Sequence, residues 1–211
     1  MNLPAQVPIW LKILYPQRVW QMQVNEKVLF ISFDDGPHET ITPQVLDLLK
    51  SHGAKATFFC LGKNIIKNPS IFERILSEGH AVGNHGHQHL NGWSTNDDAY
   101  IEDVMEADKL IQSNLFRPPY GRLKSRQAKH LKEVGFQIIM WSLLSADYDR
   151  RISKEACAMR ILKHLKPGKI ILLHDSEKAA VNMLHALEAL LEYALKRGYR
   201  FEAMPYKKGS A

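Results

Sequence analysis

The stretch Val28-Leu29-Phe30-Ile31-Ser32-Phe33-Asp34-Asp35-Gly36-Pro37 decides how this chain is read. Its first six residues suit a buried strand. The two acids that follow do not, because adjacent like charges repel and bury poorly. Within a strand their side chains would also point to opposite faces. Gly36 frees the backbone and Pro37 cannot donate to a ladder, so the strand stops here. Both acids can then turn into one cleft and take different tasks.

Outward from this strand, the chain alternates strands and helices. Strands are expected at 28–33, 55–60, 80–83, 115–117, 136–141, 169–173 and 199–203. Helices are expected between them. Thr42-Pro43 opens the first (N-cap, then proline in the first turn) and Gly53 closes it. Others cover 70–78, 95–113, 125–134, 153–165 and 179–196, with Gly79, Gly135 and Gly198 at three of their ends. Repeated strand-helix units predict an α/β fold with a parallel sheet wrapped by helices. Seven such units fit an open doubly wound sheet or a closed barrel. No glycine-rich phosphate loop follows the first strand, which weakens the nucleotide-binding version.

The 211 residues suffice for a single domain with a sizeable core. We read 1–26 as an N-terminal arm, 27–206 as the main domain and 207–211 as a frayed tail. A net charge of +6 is compatible with an anionic partner. No dense Lys/Arg run with interleaved aromatics occurs, so no nucleic-acid partner is expected. Cys60 and Cys157 fit no metal spacing and read as reduced thiols. No segment approaches the ~20 apolar residues of a membrane span. The first residues lack the basic and long apolar regions of a signal peptide, which points to the cytoplasm. Trp10, Leu11, Ile13, Leu14 and Tyr15 form a short amphipathic arm. Docking on the domain is its expected use, and peripheral contact with a membrane surface is the other.

Polar residues follow one strand after another: Asp34-Asp35, then His85, His87 and His89, then Arg117, Asp147 and His174. In a parallel barrel these positions open on one face, at the C-terminal ends of the strands. His85 and His89 are four apart, so on a helical turn they would share a face and clamp one metal ion. His87 would point elsewhere. One added carboxylate makes a two-histidine, one-carboxylate centre. Zinc is the first choice for it, with cobalt, nickel and iron also suited.

At this point the chain resembles the polysaccharide deacetylases, carbohydrate esterase family 4. Ser32-Phe33-Asp34-Asp35-Gly36-Pro37 is similar to the family's first motif. His85 to His89 resembles His-(Ser/Thr)-x-x-His, and Arg117-Pro118-Pro119-Tyr120 resembles Arg-x-Pro-(Tyr/Phe). Asp147-Tyr148 stands where the family has Asp-Trp, and Leu172-Leu173-His174 resembles Leu-x-His. The resemblance implies a distorted (β/α)7 barrel forming a single domain, and removal of N-acetyl groups from a poly- or oligosaccharide. It further implies one divalent metal held by Asp35, His85 and His89, with Asp34 as general base oriented by Arg117. The Tyr120 N–H would stabilise the oxyanion. His174 would be the general acid, tuned by Asp147, and Leu172 would line the acetyl pocket. Activity should then be bell-shaped in pH.

Three positions depart from the family pattern. Gly86 replaces the Ser/Thr after the first metal histidine, which bears on how firmly the loop holds its metal. Tyr148 replaces Trp and keeps an aromatic wall. Leu144 stands for the first acid of Asp-x-x-Asp-Trp. Trp93 is a candidate sugar platform. The chain is expected to act as a monomer on an N-acetylated glycan. The competing readings are an amidohydrolase of the same fold acting on a small cyclic amide, and a barrel that binds carbohydrate without turning it over.

Overall fold

The computed structural model describes residues 4–208. Its strands are β1 (Val28–Asp34), β2 (Ala56–Cys60), β3 (Ala81–Asn84), β4 (Leu115–Phe116), β5 (Gln137–Ile138), β6 (Leu143–Leu144), β7 (Ile170–His174) and β8 (Arg200–Phe201). Seven pair in the order β5-β4-β3-β2-β1-β7-β6, all parallel, and β8 pairs only with the start of β1. The result is the single-domain distorted barrel that the resemblance implies. Membership of the seven differs from the sequence reading. The 199–203 segment lies off the path, and β6 takes its place. With two residues, β6 is too short to give a periodic signal.

The alternation along β1 explains the opening stretch. Leu29, Ile31 and Phe33 pack into the large cluster shared with the helices. Val28 and Phe30 pack into a separate cluster with Phe59, Leu115, Ile139 and Ile170. Ser32 and Asp34 continue the second parity. They meet Arg117 from inside the barrel. Each fully buried aliphatic or aromatic side chain here stabilises by about 1.5–3 kcal/mol, so the register is firmly fixed.

The helices are α1 (Ile9–Leu14), α2 (Ile41–Ser51), α3 (Gly62–Lys67), α4 (Pro69–Ser77), α5 (Asp97–Ile111), α6 (Ser125–Glu133), α7 (Lys154–Leu162) and α8 (Ala180–Leu195). α3 was not expected from the sequence. The N-terminal arm fills the gap between the two edge strands. Gln6 bridges Leu143 of β6, and Val19 bridges Ile139 just beyond β5. Leu11 and Tyr15 pack on the barrel, whereas Ile9, Trp10, Ile13 and Leu14 face outward. The tail reading fails at its start. Lys207 donates its N–H to Asn114 Oδ1 at 2.7 Å, and Lys208 bridges Ser113. Residues 209–211 lie outside the described residues. Cys60 and Cys157 are buried free thiols. Among the described residues no helix is long and apolar enough to cross a membrane.

Candidate active site

Asp34 ends β1, in register between Phe59 of β2 and His174 of β7. It is buried, and its charge is offset at once by Arg117, whose Nη1 donates to Asp34 Oδ1 at 2.7 Å. Arg117 is itself fully buried, which only a complete set of acceptors allows. It also donates to Ser32 Oγ at 2.8 Å, to the Met140 carbonyl at 2.9 Å and to the Ile139 carbonyl at 3.3 Å. The Phe59 ring covers the guanidinium at 4.0 Å.

Strand alternation would send Asp35 away from Asp34. Instead Asp35 has φ +83°, a left-handed conformation uncommon for a residue with a side chain. This turns its carboxylate toward the cleft, and Asn64 Nδ2 pins its carbonyl at 2.6 Å. Asp35 Oδ1 then lies 3.3 Å from His89 Nε2 and 3.8 Å from His85 Nε2. One ligand atom from each of Asp35, His85 and His89 lies within 4.8 Å of the others. His85 Nδ1 contacts the Arg117 carbonyl at 2.7 Å. A carbonyl only accepts, so Nδ1 carries the hydrogen and Nε2 offers its lone pair. Burial holds the His85 pKa below the usual value, keeping the ring neutral as a ligand requires. Burial also works against an ionised Asp35, but its contact with His89 and the neighbouring histidines outweigh it and hold the carboxylate well below the usual range. The donor set, its convergence and the hydrogen position on His85 fit a divalent metal.

His85 and His89 do not lie on a helical turn, as the spacing suggested. Residues 85–89 form an irregular loop after β3, bent by Gly86 at φ +81° and His89 at φ +65°. His87 stands apart from the ligand set, against Gly62 of α3. Gly86 cannot carry the Ser/Thr anchor of the family pattern: a Cβ there would lie 2.7 Å from Asp103 Oδ2. Asp103 supplies the anchor instead. The His87 and Gln88 N–H groups donate to its two oxygens at 2.8 and 2.9 Å. Asp103 sits in the middle of α5 with no sequence mark, so the linear reading missed it. Asp103→Ala should weaken metal affinity by about 10–100-fold, as loss of an outer-shell support does. Competition against a chromophoric chelator would measure this, and unchanged affinity would mean that other contacts hold the loop.

On the opposite wall, Asp147 is buried and grips His174 twice. Its Oδ1 meets His174 Nδ1 at 2.8 Å, and its Oδ2 accepts the His174 N–H at 2.7 Å. Asp147 follows the short β6, not β5. Burial opposes the imidazolium. The charge and hydrogen bond of Asp147, with Asp35 and Asp34 behind them, outweigh burial and push the His174 pKa up to about 9. The Tyr148 ring stands edge-on to His174, with centroids 5.2 Å apart. Next in sequence, Asp175 is buried and holds the other side of the Asp-Asp-Gly turn. It accepts from Gly36 N at 3.1 Å and from Thr42 Oγ1 at 2.5 Å. A Cβ on residue 36 would fall 2.1 Å from Asp175 Oδ2, so Gly36 is there for close approach.

These groups open on a cleft of about 440 Å³ whose walls also include Leu144, Leu172, Tyr120 and Trp141. Tyr120, at φ 58° and ψ 7°, packs its ring on His89 with centroids 4.5 Å apart. Among the described residues, three of the five positive-φ non-glycine residues (Asp35, His89 and Tyr120) line this site. Such conformations persist where the surroundings over-determine them. Trp93 does not form the cleft wall. Arg122 does, with its guanidinium over the Trp93 ring at 5.0 Å, so the indole that read as a sugar platform is engaged by a neighbour. A larger groove of about 730 Å³, between the arm and α6, holds none of the motif residues.

Known proteins resemble this chain in sequence and fold. The family model for polysaccharide deacetylase matches residues 21–139, more than half of the chain, and the chain belongs to that family. It is thereby a carbohydrate N-deacetylase, a hydrolase of amide bonds. It is 37% identical over 198 residues to a peptidoglycan-N-acetylglucosamine deacetylase of Bacillus cereus, covering 89% of this chain and 93% of the relative. It is 31% identical to a chitooligosaccharide deacetylase of Azorhizobium caulinodans, covering 86% and 94%. A crystal structure of a peptidoglycan N-acetylglucosamine deacetylase bound to a naphthyl N-hydroxybenzamide superposes with TM-score 0.85 at 31% identity, covering 94% and 95%.

Proposed function

We propose that this chain hydrolyses the N-acetyl amide of N-acetylglucosamine units in a glycan, using a divalent metal bound by Asp35, His85 and His89. One observation carries the reading. The Asp34–Arg117 pair, the three-ligand cluster and the His174–Asp147 pair all open on a single cleft. Relatives named for peptidoglycan N-acetylglucosamine and for chitooligosaccharides have this acetylated unit in common. The presence on one cleft of residues suited to act as base, acid and ligands favours turnover over a binding-only barrel.

An amide is a poor electrophile, and its leaving amine needs a proton. A bound metal supplies Lewis-acid polarisation of the acetyl carbonyl and acidifies a water; zinc suits the ligand set first, with cobalt, nickel or iron as alternatives. Asp34 takes the water's proton, held at a fixed angle by Arg117. The Tyr120 N–H meets the oxygen that gains charge in the tetrahedral intermediate. His174, doubly held by Asp147, donates its proton to the sugar nitrogen. Leu172 and Trp141 give the acetyl methyl an apolar wall. Acetate release from N-acetylglucosamine oligomers, by chelator-treated protein with each metal added back, tests this. Acetate should appear only with metal, and none with any metal rejects the reading.

The pH dependence follows from His174. Its raised pKa keeps the acid protonated at neutral pH, and the active form is lost as pH rises through the folded value. Bound dication would lower that value, so the alkaline limb should fall at or below pH 9. Asp147→Asn removes the charge that raises it. The limb should move down, toward the ordinary histidine value of about 6.5. A kcat–pH profile showing the same limb in both proteins would exclude His174 as the acid.

A further inference from the structure

We propose that the outward face of α1, with the lysines around it, seats the protein on an anionic lipid bilayer surface. The proposal goes beyond the deacetylase reading and does not depend on it. Ile9, Trp10, Ile13 and Leu14 are between 60% and 75% exposed, and no residue of α1 is buried. At 3.6 residues per turn, positions 9, 10, 13 and 14 share one side of the helix. The other side is taken, since Leu11 and Tyr15 pack on the barrel. Nor is the helix free to roll inward. Before it, the Leu144 N–H donates to the Ala5 carbonyl at 2.8 Å and the Val7 N–H to the Ser142 carbonyl at 3.2 Å. After it, Trp20 Nε1 donates to the Tyr15 carbonyl at 3.1 Å, and the Val19 N–H to the Ile138 carbonyl at 2.9 Å. Four large apolar side chains are thus held in water by a helix fixed at both ends.

Cations gather around this face. Lys12 lies on α1 itself. Burial, and then the charges of Lys12 and Lys166, lower the Lys169 pKa, so these three ammonium groups are neighbours. Lys129 and Lys132 of α6 line the groove of about 730 Å³ that Leu14 also lines. Glu133, in the same groove, lies 3.8 Å from Lys129. Among the described residues Lys12, Lys132, Lys166 and Lys169 meet no carboxylate. Like charges collected in this way repel one another and gain from an anionic surface. Aliphatic side chains enter the acyl boundary, and Trp settles at headgroup level. Six residues of helix reach only about 9 Å, so α1 lies in the interface and does not cross it. A second copy of this chain fits the face less well, because a two-fold interface would set each group of lysines against its twin. Ala5 pairs with Leu144, a wall of the cleft, and at most ~14 Å of chain leads from Ala5 to Ile9. A bilayer that seats α1 therefore lies near the cleft.

The test is co-sedimentation of the full chain with two kinds of vesicle, phosphatidylcholine alone and phosphatidylcholine with about 30% phosphatidylglycerol. Partition onto the anionic vesicles should exceed that onto the neutral ones by at least about tenfold, and salt raised from about 20 to 300 mM should narrow the gap. Trp10→Ser/Ile13→Ser removes half of the apolar face, and Lys132→Gln/Lys166→Gln removes two of the unpaired charges. Each should lower partition onto the anionic vesicles by about tenfold. All four side chains are exposed, so both variants should keep the unfolding midpoint of the parent. Absence of binding to the anionic vesicles, or equal binding to both kinds, overturns the proposal. So does unchanged partition in either variant. Sedimentation velocity without vesicles covers the remaining occupant. A dimer that Trp10→Ser/Ile13→Ser dissociates would assign the face to a second copy and also overturn the proposal, whereas a monomer agrees with it. Acetate release plays no part in these readouts, so they stand whatever the deacetylase assay gives.

Discussion

Asp34→Asn should lower kcat by roughly 10²–10⁴-fold, the range for loss of a positioned general base. The substitution is nearly isosteric. Its amide oxygen can still accept from Arg117 Nη1, which now sits 2.7 Å from Asp34 Oδ1, so the barrel interior stays filled and bonded. What is lost is the ability to take a proton from water. The proposed ligands Asp35, His85 and His89 are untouched, so the variant should still bind metal. Measuring kcat together with metal content separates the two roles. A variant that binds metal and keeps kcat within tenfold would show that Asp34 is not the base.

The second large effect is on stability. Arg117→Met should destabilise the fold by about 3–5 kcal/mol, because it strands a buried carboxylate without its counter-charge. Asp34 is 3% exposed and Arg117 0% exposed, so water cannot take over. Ser32 Oγ and the carbonyls of Ile139 and Met140 also lose a donor. Combining Arg117→Met with Asp34→Asn should recover part of the loss, since the stranded charge is gone while those acceptors stay unpaired. Urea denaturation would read both proteins, with an unchanged slope indicating the same unfolding reaction. A single variant within 1 kcal/mol of the parent would mean that the pair is hydrated or relaxes on substitution.

Much of the fold was legible in the chain because β1, β2 and β7 are long enough to show continuous burial, and glycines mark several helix ends. β6 was not, since two residues carry no period. Its absence from the linear reading misassigned Asp147 to the fifth strand. The ligand residues were legible by type and order, but the reason they meet was not. Spacing suggested a helical turn for His85 and His89. The actual loop is set by the left-handed backbone at Gly86 and His89 and by Asp103, which lies sixteen and fifteen residues from the two amides it accepts from.

By itself, the sequence determined which strands are buried, that two acids had no packing use at the end of β1, and which side chains could carry acid, base and metal chemistry. Those facts depend on local pattern and residue type. Only the tertiary structure decided how the two acids part company. Asp34 follows strand alternation into the barrel and meets Arg117, which is 83 residues away in the chain. Asp35 breaks that alternation at φ +83°, with its carbonyl pinned by Asn64 and the turn beyond it held by Asp175. A carboxylate's role is set by the charges and donors around it, and here those come from distant strands that only folding brings together.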